Sequence, residues 1–179
     1  MADITQRGSL IRDDNDYPVQ GFGLTTSNTI TLTGNNTTVA TPLFHVTGTV
    51  EILGIYGVVT TTLGANHTAA YWRLNDQAAQ VDITLNTGTT LSAIKAGSTI
   101  VKKGLATTAL AKLDNVAGVV SEPTTLETNY FSPFVLVKKT AAVTDIEYVY
   151  TTTDTPTVGA IQFFVQWYPL SVDGRITPA

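Results

Sequence analysis

The sequence predicts an all-β fold: an antiparallel β-sandwich or jelly-roll-like domain with an extended N-terminal arm. Three features predict it. Threonine is the commonest residue and outnumbers all charged residues together, which make up 13% of the chain. Much of it lies in alternating runs such as Thr29-Ile30-Thr31-Leu32-Thr33 and Val81-Asp82-Ile83-Thr84-Leu85. Clusters of Gly, Asn, Asp and Pro separate roughly eight such runs, the spacing of a sandwich or jelly roll. A β-branched side chain with a hydroxyl suits the solvent side of a pleated sheet, because it is stiff at χ1 and packs on cross-strand neighbours. The chain's main bias therefore builds β-surface and supplies few reactive groups.

Residues 1–24 read as the arm. Arg12-Asp13-Asp14-Asn15-Asp16-Tyr17-Pro18 is polar and ends in proline, and Gly21-Phe22-Gly23 adds flexibility. Residues 25–179 then form one sandwich domain. Ile30 and Leu32 alternate with threonines, and Gly34-Asn35-Asn36 supplies a turn. Val39 to Val46 contains Pro42, which predicts an edge strand or a bend. Val50 to Val59 begins with alternation and becomes apolar on both sides, as expected of a central strand entering a sandwich interior. Ala70–Leu74 and Ala79–Leu85 flank a short hairpin connection at Asn75-Asp76-Gln77. Phe134–Val137 and Ile146–Tyr150 are further strands. The last places Ile161, Phe163, Val165 and Trp167 on one face, with Phe164 beside Gln162 and Gln166 on the other, and closes at Pro169. Leu105, Ala109, Leu110 and Leu113 have helical spacing, so a short helix or a loop excursion is expected there.

A chain of 179 residues can bury a real core, roughly 70% of its unfolded surface. It has no cysteine, which excludes disulfides and thiolate metal sites. A net charge of −4 argues against a nucleic-acid partner, which needs a phosphate-neutralising face. The pairs Lys102-Lys103 and Lys138-Lys139 read as solvated strand ends. No apolar stretch approaches the ~18 residues of a membrane helix. The start, Met1-Ala2-Asp3-Ile4, lacks the pattern of a secretory signal, so a soluble product made in a cytoplasm is expected.

Chemistry-bearing residues form no convergent set, and neither catalysis nor a cofactor is expected. His45 falls within a strand pattern as a packed or edge residue. His67 lies in Gly64-Ala65-Asn66-His67-Thr68, a loop-tip pattern that reads first as a merely exposed residue and second as one that touches a partner. Neither has the neighbours of a zinc site. Asp13-Asp14-Asn15-Asp16 lacks the glycine and closing glutamate of a calcium loop. Glu51, Glu122, Glu127 and Glu147 lie in no recognisable hydrolytic context, and no nucleophile elbow or phosphate loop is present. Tyr71-Trp72 and Trp167-Tyr168 read first as packing residues and second as the lining of a sugar site.

The pattern Phe44-x-Val46-Thr47-Gly48-x-Val50, then Thr60-Thr61-Thr62, then Trp167-Tyr168-Pro169-Leu170-Ser171-x-Asp173-Gly174-Arg175 resembles small structural proteins of tailed bacteriophages and prophages. The likeness is one of layout over about residues 40 to 179. It implies a capsid decoration (cement) protein that binds the outer capsid lattice, or else a tail or fibre component that recognises a receptor or carbohydrate. In the decoration role, such proteins sit as homotrimers on the major capsid protein and clasp neighbouring subunits with an arm. Carried over, the contacts would come from Arg7, Leu10, Ile11, Arg12, Tyr17, Pro18 and Phe22. The implied location is the virion surface after synthesis in the host cytoplasm.

Overall fold

The computed structural model describes residues 5–7, 10–12, 23–64, 67–76, 79–85, 91–102, 110–113, 115–116, 119–120, 133–137, 144–153 and 158–179. Among them there is no helix. The strands in chain order are β1 (Thr5–Arg7), β2 (Leu10–Arg12), β3 (Leu24–Thr31), β4 (Thr38–Thr47), β5 (Thr49–Thr61), β6 (His67–Asn75), β7 (Gln80–Asp82) and β8 (Thr99–Lys102). After these come β9 (Leu110–Leu113), β10 (Asn115–Val116), β11 (Val119–Val120), β12 (Phe134–Val137), β13 (Thr144–Thr152), β14 (Ala160–Pro169) and β15 (Arg175–Pro178).

Two antiparallel sheets pack face to face. The first runs β3-β14-β5-β8-β9, with β12 also paired to β5, and the second runs β15-β4-β13-β6-β7. Number β3, β4, β5, β6, β7, β8, β13 and β14 from first to eighth. The first sheet then reads first–eighth–third–sixth, and the second reads second–seventh–fourth–fifth. Two interlocked Greek keys of this order are a jelly roll. Within the predicted arm, β1 and β2 pair with each other, Gln6 opposite Ile11, as a separate two-stranded ladder.

The core follows from period-two alternation. Ile161, Phe163, Val165 and Trp167 of β14 all point inward and are buried, as their spacing predicts. Across the sandwich, Phe163 meets Trp72 edge-on at 6.2 Å and lies 4.9 Å from Tyr148. Gly57 of β5 makes room for that ring, since a Cβ there would lie 2.9 Å from Phe163. Truncating a buried Phe of this kind costs about 3–5 kcal/mol.

The long apolar run of β5 has a different cause from the one its sequence suggests. The ladder with β14 shifts register between Gln166 and Trp167, so Val50 and Ile52 face inward before the irregularity and Ile55 and Val59 after it. The intervening Tyr56 and Val58 stay half-exposed on the outer face. A bulge changes which residues point inward, so both parities must be apolar in turn. Pro42 likewise sits at an irregularity, where β4 shifts against β13 between Phe44 and Pro42, and β15 pairs only with Phe44 to Thr47. β4 is thus a central strand that loses one neighbour at its proline, which tolerates the missing N–H.

β4 passes to β5 through the single residue Gly48, which crosses from one sheet to the other. Its φ is +59°, and a Cβ there would stand 2.6 Å from Asp173 Oδ1, Gly174 N and Ser171 Oγ. The turn after β14 closes on this crossing. Thr49 N donates to Ser171 Oγ at 2.8 Å, and Leu170 N donates to Thr49 O at 2.8 Å.

Two sequence expectations are corrected here. The helical spacing of Leu105 to Leu113 is not realised at its C-terminal end: Leu110–Leu113 is a strand paired with β8, with Leu110 opposite Lys102. Extending the first sheet buries Leu110, which overrides a weak local preference interrupted by threonines. Residues 103–109 lie outside the described residues. Lys102, read as a solvated strand end, is only 6% exposed, and burial lowers its pKa.

Candidate functional site

Three polar or aromatic arrangements result from this packing, one on each outer face and one between the sheets. On the outer face of the first sheet, alternation presents Thr25, Ser27, Thr29 and Thr31 of β3, all exposed. Beside them stand Gln162, Phe164, Gln166 and Tyr168 of β14, then Glu51, Tyr56 and Val58 of β5. Phe164 lies directly opposite Tyr56, and the rings stack with centroids 4.9 Å apart and planes 13° from parallel. Gln162 and Gln166 flank this pair along β14, opposite Val58 and Gly54. At the far side, Val135 and Val137 of β12 are 52% and 60% exposed, facing Glu51 and Thr49 in register. Across these strands Glu51 is the only charged residue on the face. The result is a broad, neutral surface of hydroxyls, amides and one aromatic ridge.

The outer face of the second sheet is charged, and the polar groups at its centre are paired with one another. His45 of β4 and Asp145 of β13 are cross-strand neighbours, with Nδ1 and Oδ1 2.6 Å apart. One row along, Arg73 Nε donates to Glu147 Oε2 at 2.6 Å, and Asn75 Nδ2 donates to Glu147 Oε1 at 2.9 Å. Arg73 Nη1 also donates to Gln80 Oε1 at 2.8 Å. Both oxygens of the only buried acid among the described residues are therefore occupied. Such a carboxylate is a poor general base, because its lone pairs already accept charge-assisted bonds.

Between the sheets, His67 is completely buried, contrary to the loop-tip reading. It opens β6, and its ring stacks on Tyr150 at 4.8 Å and on Tyr148 at 5.8 Å. Its Nε2 lies 2.8 Å from the Tyr148 hydroxyl, while Nδ1 has no hydrogen-bond partner. Burial lowers its pKa to about 4, so the ring is neutral at pH 7. Burial, and then the neighbouring Tyr150, raise the Tyr148 pKa well above the usual phenol value. Tyr150 OH donates to Thr33 O at 3.1 Å and accepts from Thr33 N at 3.0 Å, which ties the turn after β3 to the core. These are the contacts of a structural cluster.

Several sequence candidates therefore fall away from any surface site. Trp72 is fully buried and Tyr71 is half-buried on the charged face, so with His67 they form no shared sugar platform. Among the described residues, no group of three or more His, Cys, Asp or Glu could hold a metal. Arg7, Leu10, Ile11 and Arg12 lie in the β1–β2 ladder, whereas Tyr17, Pro18, Phe22, Glu122, Glu127 and the 13–16 acidic cluster lie outside the described residues. The sequence signalled the neutral face only through Phe164 among glutamines. Its partner Tyr56 was hidden by the β5 irregularity. No family model, no curated protein and no solved structure matches the chain.

Proposed function

We propose that the chain is a non-enzymatic structural protein of a tailed-bacteriophage particle, a decoration protein that binds the major capsid protein on the outer lattice and stabilises the head. The observation that carries this reading is the neutral outer face of the first sheet, held rigid on a jelly roll. Four strand rows at about 4.8 Å and about nine residues at 3.4 Å give a patch of roughly 600 Å². That is somewhat less than the ~800 Å² each partner contributes to a standard interface. One such contact is weak, and it suits a lattice on which many copies bind side by side and linked contacts add by avidity. His45, Asp145, Glu147 and His67 are already committed to structural partners, which favours a scaffold over a catalyst. Segment 1–24, with Arg7, Leu10, Ile11, Arg12, Tyr17, Pro18 and Phe22, would supply a second contact to the coat.

The test is direct. Purified protein mixed with undecorated capsids should give symmetric outer density by cryo-electron microscopy and raise the temperature at which heads release DNA. Phe164→Ser should weaken binding at least tenfold. Failure of the unaltered protein to bind mature heads would sink the proposal. A second reading, a tail or fibre module that binds a neutral glycan, is favoured by the Tyr56–Phe164 stack with Gln162 and Gln166 beside it. Aromatic carbon and amide donors suit sugar rings. A glycan array, together with localisation at the tail tip, would select that reading.

A further inference from the structure

The first sheet ends at β3, and among the described residues no strand pairs with its outer edge. An open row of N–H and C=O groups is a template for another chain, which proteins normally block with short strands, charge, proline or bulges. The other edges follow that rule. β15 has four residues and carries Arg175 and Pro178, and β7 has three residues and carries Asp82. β9 has four residues and carries Lys112, and β12 has only four. β3 has eight residues, no proline and no charge, and it pairs with β14 without a register shift. It is also held in place. Asn28 Nδ2 donates to Leu43 O at 2.9 Å, and Thr26 Oγ1 donates to Ile176 O at 3.2 Å, both across the sandwich. A strand fixed in this way loses little further freedom on pairing.

We propose that this edge binds a second copy of the chain, β3 against β3 in antiparallel, about a two-fold axis through Ser27. The register selects itself. Residues directly opposite in an antiparallel pair share a face, so an axis between two residues would set inward side chains against outward ones. With the axis at Ser27, Thr25 faces Thr29 of the second copy, Thr26 faces Asn28, and Leu24 faces Ile30. Every pair matches in kind. Moving the axis to Asn28 sets Thr26 against Ile30 and puts the partner of Leu24 at Leu32, beyond the end of β3. Charge permits the joint: each chain carries −4, yet neither β3 nor its neighbour β14 contains a charged residue. Because each copy has one β3, the assembly closes at two. It also brings the two neutral faces side by side on one continuous sheet.

The full chain should sediment at about twice its 19.0 kDa mass over a micromolar concentration series. Ser27→Lys/Thr29→Lys sets lysine against lysine and should return the mass to one chain with an unchanged melting temperature. Val81→Lys, on the β7 edge, should leave the double mass intact. The absence of native cysteine allows a second readout. Ser27→Cys should oxidise to a linked dimer, because opposed Cα atoms about 4.5–5.5 Å apart fit a disulfide. Thr25→Cys and Thr29→Cys should each stay unlinked alone and cross-link when mixed. A single-chain mass throughout, a three-chain mass, or a dimer indifferent to the lysines would overturn the proposal. So would a Ser27→Cys chain that fails to cross-link, which also decides the matter if the lysine variant does not fold.

Discussion

The outer faces of the two sheets are built on the same alternation yet end in opposite chemistry. The face of the second sheet pairs His45 with Asp145 and closes Glu147 with Arg73 and Asn75, so the charges at its centre are engaged within the molecule, while Asp82 and Arg175 stand exposed at its two edges. The face of the first sheet has almost no charge to consume and leaves a Tyr56–Phe164 ridge among hydroxyls and amides. A paired ionic face stabilises its own strands and offers little to a partner. A neutral face contributes less to its own sheet and, when covered, avoids the far larger penalty of burying unpaired charge, provided its hydroxyls and amides find hydrogen-bond partners. Stability should therefore respond mainly to the charged face, and association to the neutral one.

Glu147→Ala breaks that contrast most severely, because Arg73 is only 15% exposed and would lose its only carboxylate partner among the described residues, keeping just the amide of Gln80. Urea unfolding should show a loss of about 3 kcal/mol or more, whereas Glu147→Leu combined with Arg73→Met should recover most of it. The next effect separates both faces from the layer between them. His67 has a native pKa of about 4 against 6.5 unfolded, so between these values the unfolded chain binds the extra proton. Its contribution is fully present above pH 6.5 and is lost as pH falls toward 4, in total roughly 3 kcal/mol. His67→Phe should flatten the stability–pH curve in that window relative to the unaltered chain. A smaller effect belongs to the neutral face. A Tyr56→Ala/Phe164→Ala double-mutant cycle should give a coupling of about 1 kcal/mol, with little change in fold by circular dichroism. Smallest is His45→Ala, which removes a partner of Asp145 that is 40% exposed. Its cost should stay below about 1 kcal/mol by urea unfolding, because the pair is partly solvated.

The sequence made the fold legible because period-two alternation is local. The inward set of β14 and the hairpin joining β6 to β7 both follow from neighbouring residues. What stayed hidden is non-local. His67 looks like a loop residue because the glycine and asparagine before it are local signals, whereas Tyr148 and Tyr150 that bury it are about 80 residues away, 81 for Tyr148. Glu147 has no context until Arg73 arrives on the adjacent strand. Tyr56 joins Phe164 only because irregular registers in β5 bring it opposite. Leu110 to Leu113 shows the converse, a local helical pattern overruled by an available sheet edge.

The jelly-roll order also has a consequence in time. Trp167 Nε1 donates to Thr26 Oγ1 across 141 residues of sequence, and β14 is the strand that covers the inner edge of β3. At about 5–20 residues per second, a ribosome takes roughly 7–28 seconds to make the chain between them. Throughout that interval β3 exists with neither edge paired in its native ladder. Nascent copies emerging from one messenger therefore carry the same uncharged strand, waiting, within reach of one another.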